Sequence, residues 1–298
     1  MPAAGSVPVR DRPSFLALGL GLALGLVTGT VGAVGWRWVR PWPWPDPPHL
    51  QGEEFRFPSL DGTPLRGLWL EGRPGLPPVV LCHGYFRSLA EPYDMGLYLN
   101  GLGYPALLFD FRGCGKSGGR YTTLGAREVL DVLAAVREAR ARGGDGVVLL
   151  GISMGAAAAI MAAAREPRVR AVVADSPYAD LEGLLAHRLR RVLPLTPLLP
   201  LGKVSLRLGE LLAAFRAREV RPADFVAAIA PRPLLLIYGE KDSFVPPEQR
   251  EELFRRAGEP KEMWVAPGSD HAMARLDHPQ RYRQTVRDFL ERYLSAGG

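Results

Sequence analysis

The sequence predicts an α/β protein whose mainly parallel sheet is covered by helices on both faces. The alternation of short apolar runs with helix-length segments supports this fold class, and the length and composition are those of a folded protein. A chain of 298 residues is long enough to bury a large core. With 47% hydrophobic and 23% charged residues, it is not a mostly disordered chain. Its two cysteines cannot build a disulfide scaffold or a zinc site of four thiolates.

The N-terminus is predicted to form one transmembrane helix over residues 14–35, after a tail at 1–13. No residue between Arg12 and Arg37 carries a charge, and a helix of about 20 apolar residues matches the hydrocarbon core of a bilayer. A cleaved signal peptide is the alternative, although its apolar region usually has only about 7–15 residues. We expect the rest of the chain on the extracytoplasmic side of the cell membrane, because an N-terminal apolar segment commonly directs export of the domain attached to it.

Residues 36–51 are predicted to form a linker rich in tryptophan and proline. Its tryptophans stand among arginines, which is the amphipathic mixture favoured at lipid headgroups; they are Trp36, Trp38, Trp42 and Trp44. Five prolines between positions 41 and 48 predict a stiff, extended spacer that holds the next domain off the membrane surface.

Short apolar runs separated by helix-length segments predict the sheet of the main domain, residues 52–298. Two segments at 55–59 and 65–70 flank Asp61-Gly62, which is typical of a hairpin. The later runs lie at 79–82, 106–109, 147–150, 171–174, 234–238 and 262–265. Alternating strands and helices are typical of parallel sheets, which carry their sites at the carboxyl ends of the strands. The residues directly after each run are therefore the candidate site residues.

Ser153 is the candidate nucleophile. It stands in Gly151-Ile152-Ser153-Met154-Gly155, directly after the run at 147–150 and before an Ala-rich segment. The pattern G-x-S-x-G between a strand and a helix is typical of a nucleophile elbow. In such an elbow the serine occupies a sharp, strained turn, so the residues two positions away need minimal side chains.

Asp242 and His271 are the candidate acid and base. A serine hydroxyl needs a base that removes its proton and an acid that orients the base. Both residues stand in loops after the last two apolar runs, and the chain order Ser153, Asp242, His271 is one that triads of this type use. Asp175 also follows a strand and is the alternative acid. Asp270, the neighbour of His271, is expected to be a turn or capping residue.

The backbone N–H groups of Tyr85 and Met154 are predicted to bind the negative oxygen of a tetrahedral intermediate. Met154 is the first residue of the helix after the nucleophile. Tyr85 stands in the loop after the run at 79–82, and Phe86 is the alternative donor in that loop. His83, two residues before Tyr85, is expected to have a structural role there.

Five ordered motifs resemble those of the α/β-hydrolase superfamily. They are His83-Gly84, the run from Asp110 to Ser117, the Ser153 turn, Asp242 and His271. Within the superfamily the chain is similar to the bacterial serine esterase and serine aminopeptidase-like branch that carries an N-terminal anchor. The resemblance covers about residue 52 to the C-terminus. It implies an eight-stranded sheet, a Ser-Asp-His triad, no metal and no organic cofactor, and the segment at about 177–231 is then a helical cap.

These assignments predict a membrane-anchored, carboxylesterase-like serine hydrolase that cleaves esters of small or lipophilic acyl groups through an acyl-enzyme. Leu184 and Leu185 of the cap either line an acyl pocket or pack the cap on the core. A serine peptidase or amidase is one alternative, and a binding or scaffold protein with this fold is another. The formal charge of +6 comes almost entirely from arginines, which are scattered over the whole chain, so no nucleic-acid partner is predicted.

Overall fold

An eight-stranded sheet organises this computed structural model, which describes residues 15–41, 44–192 and 199–294. The predicted tail at 1–13 and Trp42 lie outside the described residues. The strands are β1 (Glu53–Pro58), β2 (Pro64–Leu70), β3 (Val79–Cys82), β4 (Ala106–Asp110), β5 (Val147–Ile152), β6 (Val169–Asp175), β7 (Leu234–Gly239) and β8 (Lys261–Ala266).

The strand order across the sheet is β1-β2-β4-β3-β5-β6-β7-β8. Strand β2 is antiparallel to both β1 and β4, and the remaining neighbours are parallel. The prediction of a mainly parallel sheet of eight strands is confirmed. Because the parallel strands all point the same way, the carboxyl ends of β3, β5, β6, β7 and β8 meet at one edge of the sheet.

The central strands are apolar along their whole length because both faces of the sheet are covered. Every residue of β3, β4, β5 and β7 is buried. Successive side chains point to opposite faces, so Val80 and Cys82 belong to one apolar core, whereas Val79 and Leu81 belong to the other. These two cores hold the helical layers against the sheet.

Helices cover both faces, as predicted. Helices α3 and α4 contribute to one apolar core, and α2 and α9 contribute to the other. The helices are α1 (Phe15–Val39), α2 (Tyr93–Gly101), α3 (Glu128–Gly143), α4 (Met154–Ala163), α5 (Leu181–Val192), α6 (Leu199–Ala213), α7 (Pro247–Arg256), α8 (Ala274–Asp277) and α9 (Pro279–Leu294).

The segment between β6 and β7 is helical and corresponds to the predicted cap. It contains α5, α6 and three short 3₁₀ turns, and residues 193–198 between the two helices lie outside the described part of the chain. The turns are Ala217–Glu219, Pro222–Asp224 and Val226–Ile229. This segment brings apolar side chains of α5 close to the carboxyl ends of the strands.

Helix α1 continues four residues beyond the predicted span of 14–35 and packs against α6. An ideal Cβ atom on Gly35 would lie 2.6 Å from the carbonyl oxygen of Ser205, so glycine is required where the two helices are in contact. Among the residues that the structure describes, no helix is both long and apolar enough to cross a membrane.

The linker at 36–51 contacts the main domain. The carboxylate of Asp46 binds the guanidinium of Arg66 at 2.8 Å, and the guanidinium of Arg87 lies 4.1 Å from the ring centroid of Trp44. The linker is therefore in contact with the domain at Trp44 and Asp46. Contacts with arginines hold these two residues on the domain surface.

Arg66 is the centre of this attachment. Its side chain is fully buried, and its guanidinium also contacts Glu54 at 2.6 Å and Asp110 at 3.4 Å. A buried guanidinium is stable only when carboxylates and hydrogen bonds replace its water. The linker thus supplies one of the three carboxylates that neutralise the buried guanidinium of Arg66 on β2.

Candidate active site

Ser153 lies on the sharp turn between β5 and α4. Its φ and ψ angles are 52° and −113°, a conformation that is strained for a residue with a side chain. An ideal Cβ atom on Gly151 would lie 2.5 Å from the carbonyl oxygen of Gly155, and one on Gly155 would lie 2.4 Å from that of Cys82. Both glycines of the motif are therefore required by close backbone approach. The turn places the Ser153 hydroxyl at the carboxyl edge of the sheet.

The structure brings Ser153, His271 and Asp242 together at this edge. The distance from His271 Nε2 to Ser153 Oγ is 2.9 Å, and that from His271 Nδ1 to Asp242 Oδ2 is also 2.9 Å. When Nδ1–H donates to the carboxylate, Nε2 is the acceptor that faces the serine hydroxyl. The three predicted residues thus form one hydrogen-bonded chain.

The loop after β7 fixes the carboxylate of Asp242. Its second oxygen, Oδ1, accepts the backbone N–H groups of Phe244 at 2.9 Å and Val245 at 2.8 Å. The ring of Phe244 stacks on the imidazole of His271, with the centroids 4.8 Å apart. Sequence reasoning missed Phe244 because an aromatic residue in a loop gives no indication of where its ring points.

The other two carboxylates at this edge have different partners. Asp270 accepts the backbone N–H and the hydroxyl of Ser243, and the hydrogen bond from that N–H is the main reason that its pKa is lowered. Asp270 thus links the loop after β8 to the loop after β7. Asp175, the alternative acid, is fully buried and accepts the hydroxyl of Ser176 at 2.9 Å. The imidazole of His271 is hydrogen-bonded to neither of them.

Burial raises the pKa of Asp175 from its ordinary value of 3.8 to about 6, because desolvation disfavours the charged carboxylate. This group therefore stabilises the fold fully below pH 3.8, and the contribution is lost as the pH rises through 6. We predict that Asp175→Asn removes this decrease in stability with rising pH, because asparagine does not ionise. The free energy of unfolding of the variant minus that of the parent should rise by up to about 3 kcal/mol between pH 3.5 and pH 7.

Urea unfolding of parent and Asp175→Asn at both pH values checks this prediction. The substitution also changes local packing, and this effect on the free energy of unfolding is the same at both pH values. The prediction therefore concerns how the difference between variant and parent changes from pH 3.5 to pH 7. A difference that is the same at pH 3.5 and pH 7 would contradict the raised pKa.

The two residues predicted to donate N–H groups to the oxyanion lie beside Ser153. Tyr85 and Met154 both line the cavity at Ser153, and neither N–H donates to an acceptor within the described part of the protein. Phe86, the alternative donor, does not line this cavity; its ring stacks on that of Tyr85 at 3.6 Å. Such N–H groups, one of them at a helix N-terminus, suit a developing negative oxygen.

Three side chains hold the loop that carries Tyr85. Glu91 accepts the N–H of Gly84 at 2.6 Å, and Arg275 contacts the other oxygen of Glu91 at 3.1 Å. His83 accepts the N–H of Phe111 on Nε2, so its Nδ1–H donates to the carbonyl of Gly84. Burial lowers the pKa of His83 and keeps it neutral. His83 therefore stabilises this loop through its hydrogen bonds. The role of Glu91 was not predicted, because no motif in the sequence includes it.

A cavity of about 40 Å³ opens at Ser153. Leu184 and Leu185 of the predicted cap line it, and no acidic side chain does so among the described residues. A wider cleft of about 360 Å³ between Arg40 and Tyr121 contains no triad residue. The residues that line the smaller cavity are Trp38, Tyr85, Leu124, Ser153, Met154, Tyr178, Leu181, Leu184, Leu185 and Phe244. Such an apolar lining suits an uncharged acyl group.

A serine on a strained turn between a strand and a helix, at the carboxyl edge of an eight-stranded sheet in this order, defines an α/β-fold hydrolase. Residues 79–285 match the model of the alpha/beta hydrolase family, and the chain belongs to that family. The superfamily resemblance seen in the motifs is thereby confirmed. Its narrower assignment to an anchored serine esterase branch stays a prediction.

Similar proteins occur in bacteria and archaea. The chain is 32% identical to the uncharacterized protein YqkD of Bacillus subtilis over 251 residues, which cover 81% of this chain and 80% of YqkD. It is 28% identical to the uncharacterized protein YfhR of Escherichia coli K12 over 257 residues, 83% and 82% of the two chains. The Pyrococcus furiosus esterase Pf2001 has a similar structure, with a TM-score of 0.72, 27% identity and coverage of 86% of this chain and 98% of that one.

Proposed function

We propose that this hydrolase cleaves carboxylic esters of small or lipophilic acyl groups through an acyl-enzyme. One observation carries the proposal: Ser153 Oγ lies 2.9 Å from His271 Nε2, and His271 Nδ1 lies 2.9 Å from a carboxylate oxygen of Asp242. This is the geometry that makes a serine hydroxyl nucleophilic. The esterase Pf2001, which has a similar structure, supports the same reaction class.

In the proposed mechanism, Ser153 Oγ attacks the ester carbonyl while His271 Nε2 takes the hydroxyl proton. Asp242 orients the ring and stabilises the imidazolium. The N–H groups of Tyr85 and Met154 bind the oxyanion. His271 then protonates the leaving alkoxide, and the C–O bond breaks to leave the acyl-enzyme. A water molecule then attacks the acyl carbon while His271 Nε2 takes a proton from that water. His271 passes this proton to Ser153 Oγ as the bond between the serine and the acyl group breaks, and the carboxylic acid is released.

The lining of the cavity favours an ester over a peptide with a free amino end. An ammonium group placed against Leu181, Leu184 and Leu185 would lose its hydration without gaining a carboxylate partner. The scaffold alternative is also disfavoured, because a protein without chemistry has no need to hold three side chains in this geometry. The lining and the geometry of these three side chains therefore favour the ester hydrolase over both alternatives.

Kinetics of the full chain in mild detergent test this function. We expect kcat/KM for p-nitrophenyl acetate and butyrate to exceed that for aminoacyl p-nitroanilides by on the order of 10²-fold. A fluorophosphonate probe should label Ser153. Equal rates on esters and aminoacyl amides would instead identify an aminopeptidase-like enzyme, and the absence of both labelling and turnover would identify a scaffold.

We also propose that residues 14–35 form a single-pass membrane anchor, with the hydrolase domain on the extracytoplasmic side. The uncharged run between Arg12 and Arg37 supports this proposal. Sedimentation of the full chain with membranes, resistant to carbonate extraction, is the measurement that checks it. A mature chain that begins after residue 33 would identify a cleaved signal peptide instead.

A further inference from the structure

The C-terminal end of α1 reaches the cavity beside Ser153. Trp38 lines this cavity and packs against the apolar core of the hydrolase domain. The backbone carbonyl of Trp38 accepts the hydroxyl of Tyr85 at 2.5 Å, and that of Val39 accepts the N–H of Thr122 at 2.8 Å. The helix end is therefore bound to two separate loops at the active-site edge of the sheet.

The same helix end also supports the loop predicted to bind the oxyanion. Tyr85 donates its hydroxyl to α1, and its ring stacks on Phe86 at 3.6 Å. The guanidinium of Arg37 lies 4.2 Å from the ring centroid of Phe86. Helix α1 thus forms one wall of the cavity and holds the neighbouring loop in place.

The cavity that Trp38 lines is small. A buried water needs about 10–15 Å³ of such a volume, so about 40 Å³ offers room for about three water-sized groups. Trp38 has the largest side chain of the lining and is itself half-buried. A shorter side chain at this position should enlarge the space available to an acyl chain.

We propose that Trp38 is a specificity-determining residue that restricts the enzyme to esters of short acyl chains, about two to four carbons long. The proposal rests on the ester hydrolase function and adds to it the chain length of the acyl group. It gives the helix predicted as a membrane anchor a second role, which is to form the acyl-chain end of the substrate pocket.

The variant Trp38→Ala in the full chain tests this proposal. We measure kcat/KM on p-nitrophenyl esters of two, four, six and eight carbons. The ratio of the eight-carbon to the two-carbon value should rise by at least about tenfold, because each methylene accepted by an apolar pocket contributes about tenfold or more. The rise should come mainly from a lower KM for the long esters.

Trp36→Ala is the matched control. Trp36 lies two residues earlier on the same helix, is 41% exposed and does not line the cavity. Its removal should leave the ratio unchanged. An unchanged ratio in Trp38→Ala, or the same rise in both variants, overturns the proposal. If Trp38→Ala does not fold, Trp38→Phe serves in its place and should give a smaller rise in the same direction.

A binding measurement separates failure of this proposal from failure of the proposed function. Calorimetry on the Ser153→Ala chain compares butanoate with octanoate, with and without Trp38→Ala. The added substitution should tighten octanoate binding relative to butanoate. If this shift is seen but the parent chain with Ser153 hydrolyses no ester, the proposed function is refuted and the pocket role of Trp38 is kept. Ester hydrolysis by the parent, with no shift in either assay, would refute the role of Trp38 alone.

Discussion

Ser153→Ala should lower kcat on p-nitrophenyl acetate by at least about 10³-fold. The methyl side chain leaves His271 Nε2 facing no nucleophile, and no acyl-enzyme can form. Any remaining turnover would come from water activated in the same cavity. Steady-state kinetics, with fluorophosphonate labelling of the same samples, measure the loss.

Ser243→Ala is a suitable control for this variant. Ser243 lies at the same edge of the sheet, and its hydroxyl contacts Asp270 at 3.1 Å. This variant should keep most of the parent activity and should still be labelled. Hydrolysis by Ser153→Ala at the parent rate would show that another group attacks the ester.

Asp242→Asn should lower kcat by about 10³- to 10⁴-fold. An amide at this position cannot stabilise the imidazolium, and its NH₂ group can drive the ring into the tautomer that carries its proton on Nε2. His271 would then have no free nitrogen for the Ser153 hydroxyl. Because Asn has nearly the shape of Asp, the loop from Phe244 to Val245 should keep its fold.

Asp175→Asn is the control for the loss of kcat expected in Asp242→Asn. Asp175 also ends a strand near the site, but its side chain is hydrogen-bonded to Ser176 and not to the imidazole. Its variant should stay within about tenfold of the parent kcat, because a side chain without contact to the reacting groups contributes little to transition-state stabilisation. If Asp175→Asn lost activity while Asp242→Asn retained it, the two carboxylates would have exchanged roles.

The sheet could be predicted because its strands and helices have different patterns in the sequence. A strand covered on both faces must be apolar throughout, so the runs at 79–82 and 234–238 reappear as β3 and β7 almost residue for residue. Strand β2 lies between β1 and β4 and is antiparallel to both. This could not be predicted, because a run of apolar residues does not specify which strands pair.

The triad side chains could be placed for a similar reason. Ser153 needs flanking glycines, and Asp242 and His271 follow strands whose carboxyl ends must meet. The remaining parts of the site depend on contacts between distant segments. Glu91 reaches Gly84 only because α2 begins beside that loop, and nothing at position 91 indicates this contact.

The sequence around Trp38 does not indicate in which direction its indole points. A tryptophan beside arginines after an apolar helix is typical of a membrane interface, and that interpretation says nothing about the neighbouring domain. Gly35 allows α1 to approach α6 closely, and Tyr85 binds the carbonyl of Trp38. Together these contacts turn the indole to the cavity beside Ser153.

The attachment of Asp46 to Arg66 has a consequence for a proteolytic cut in the linker. A cut between Trp38 and Asp46 would break the covalent link between the hydrolase domain and the tryptophan that lines the cavity at Ser153. A cut after Asp46 would also take a counter-charge away from the guanidinium inside the sheet. Either cut should therefore change the shape of the cavity at Ser153 or weaken the fold around Arg66.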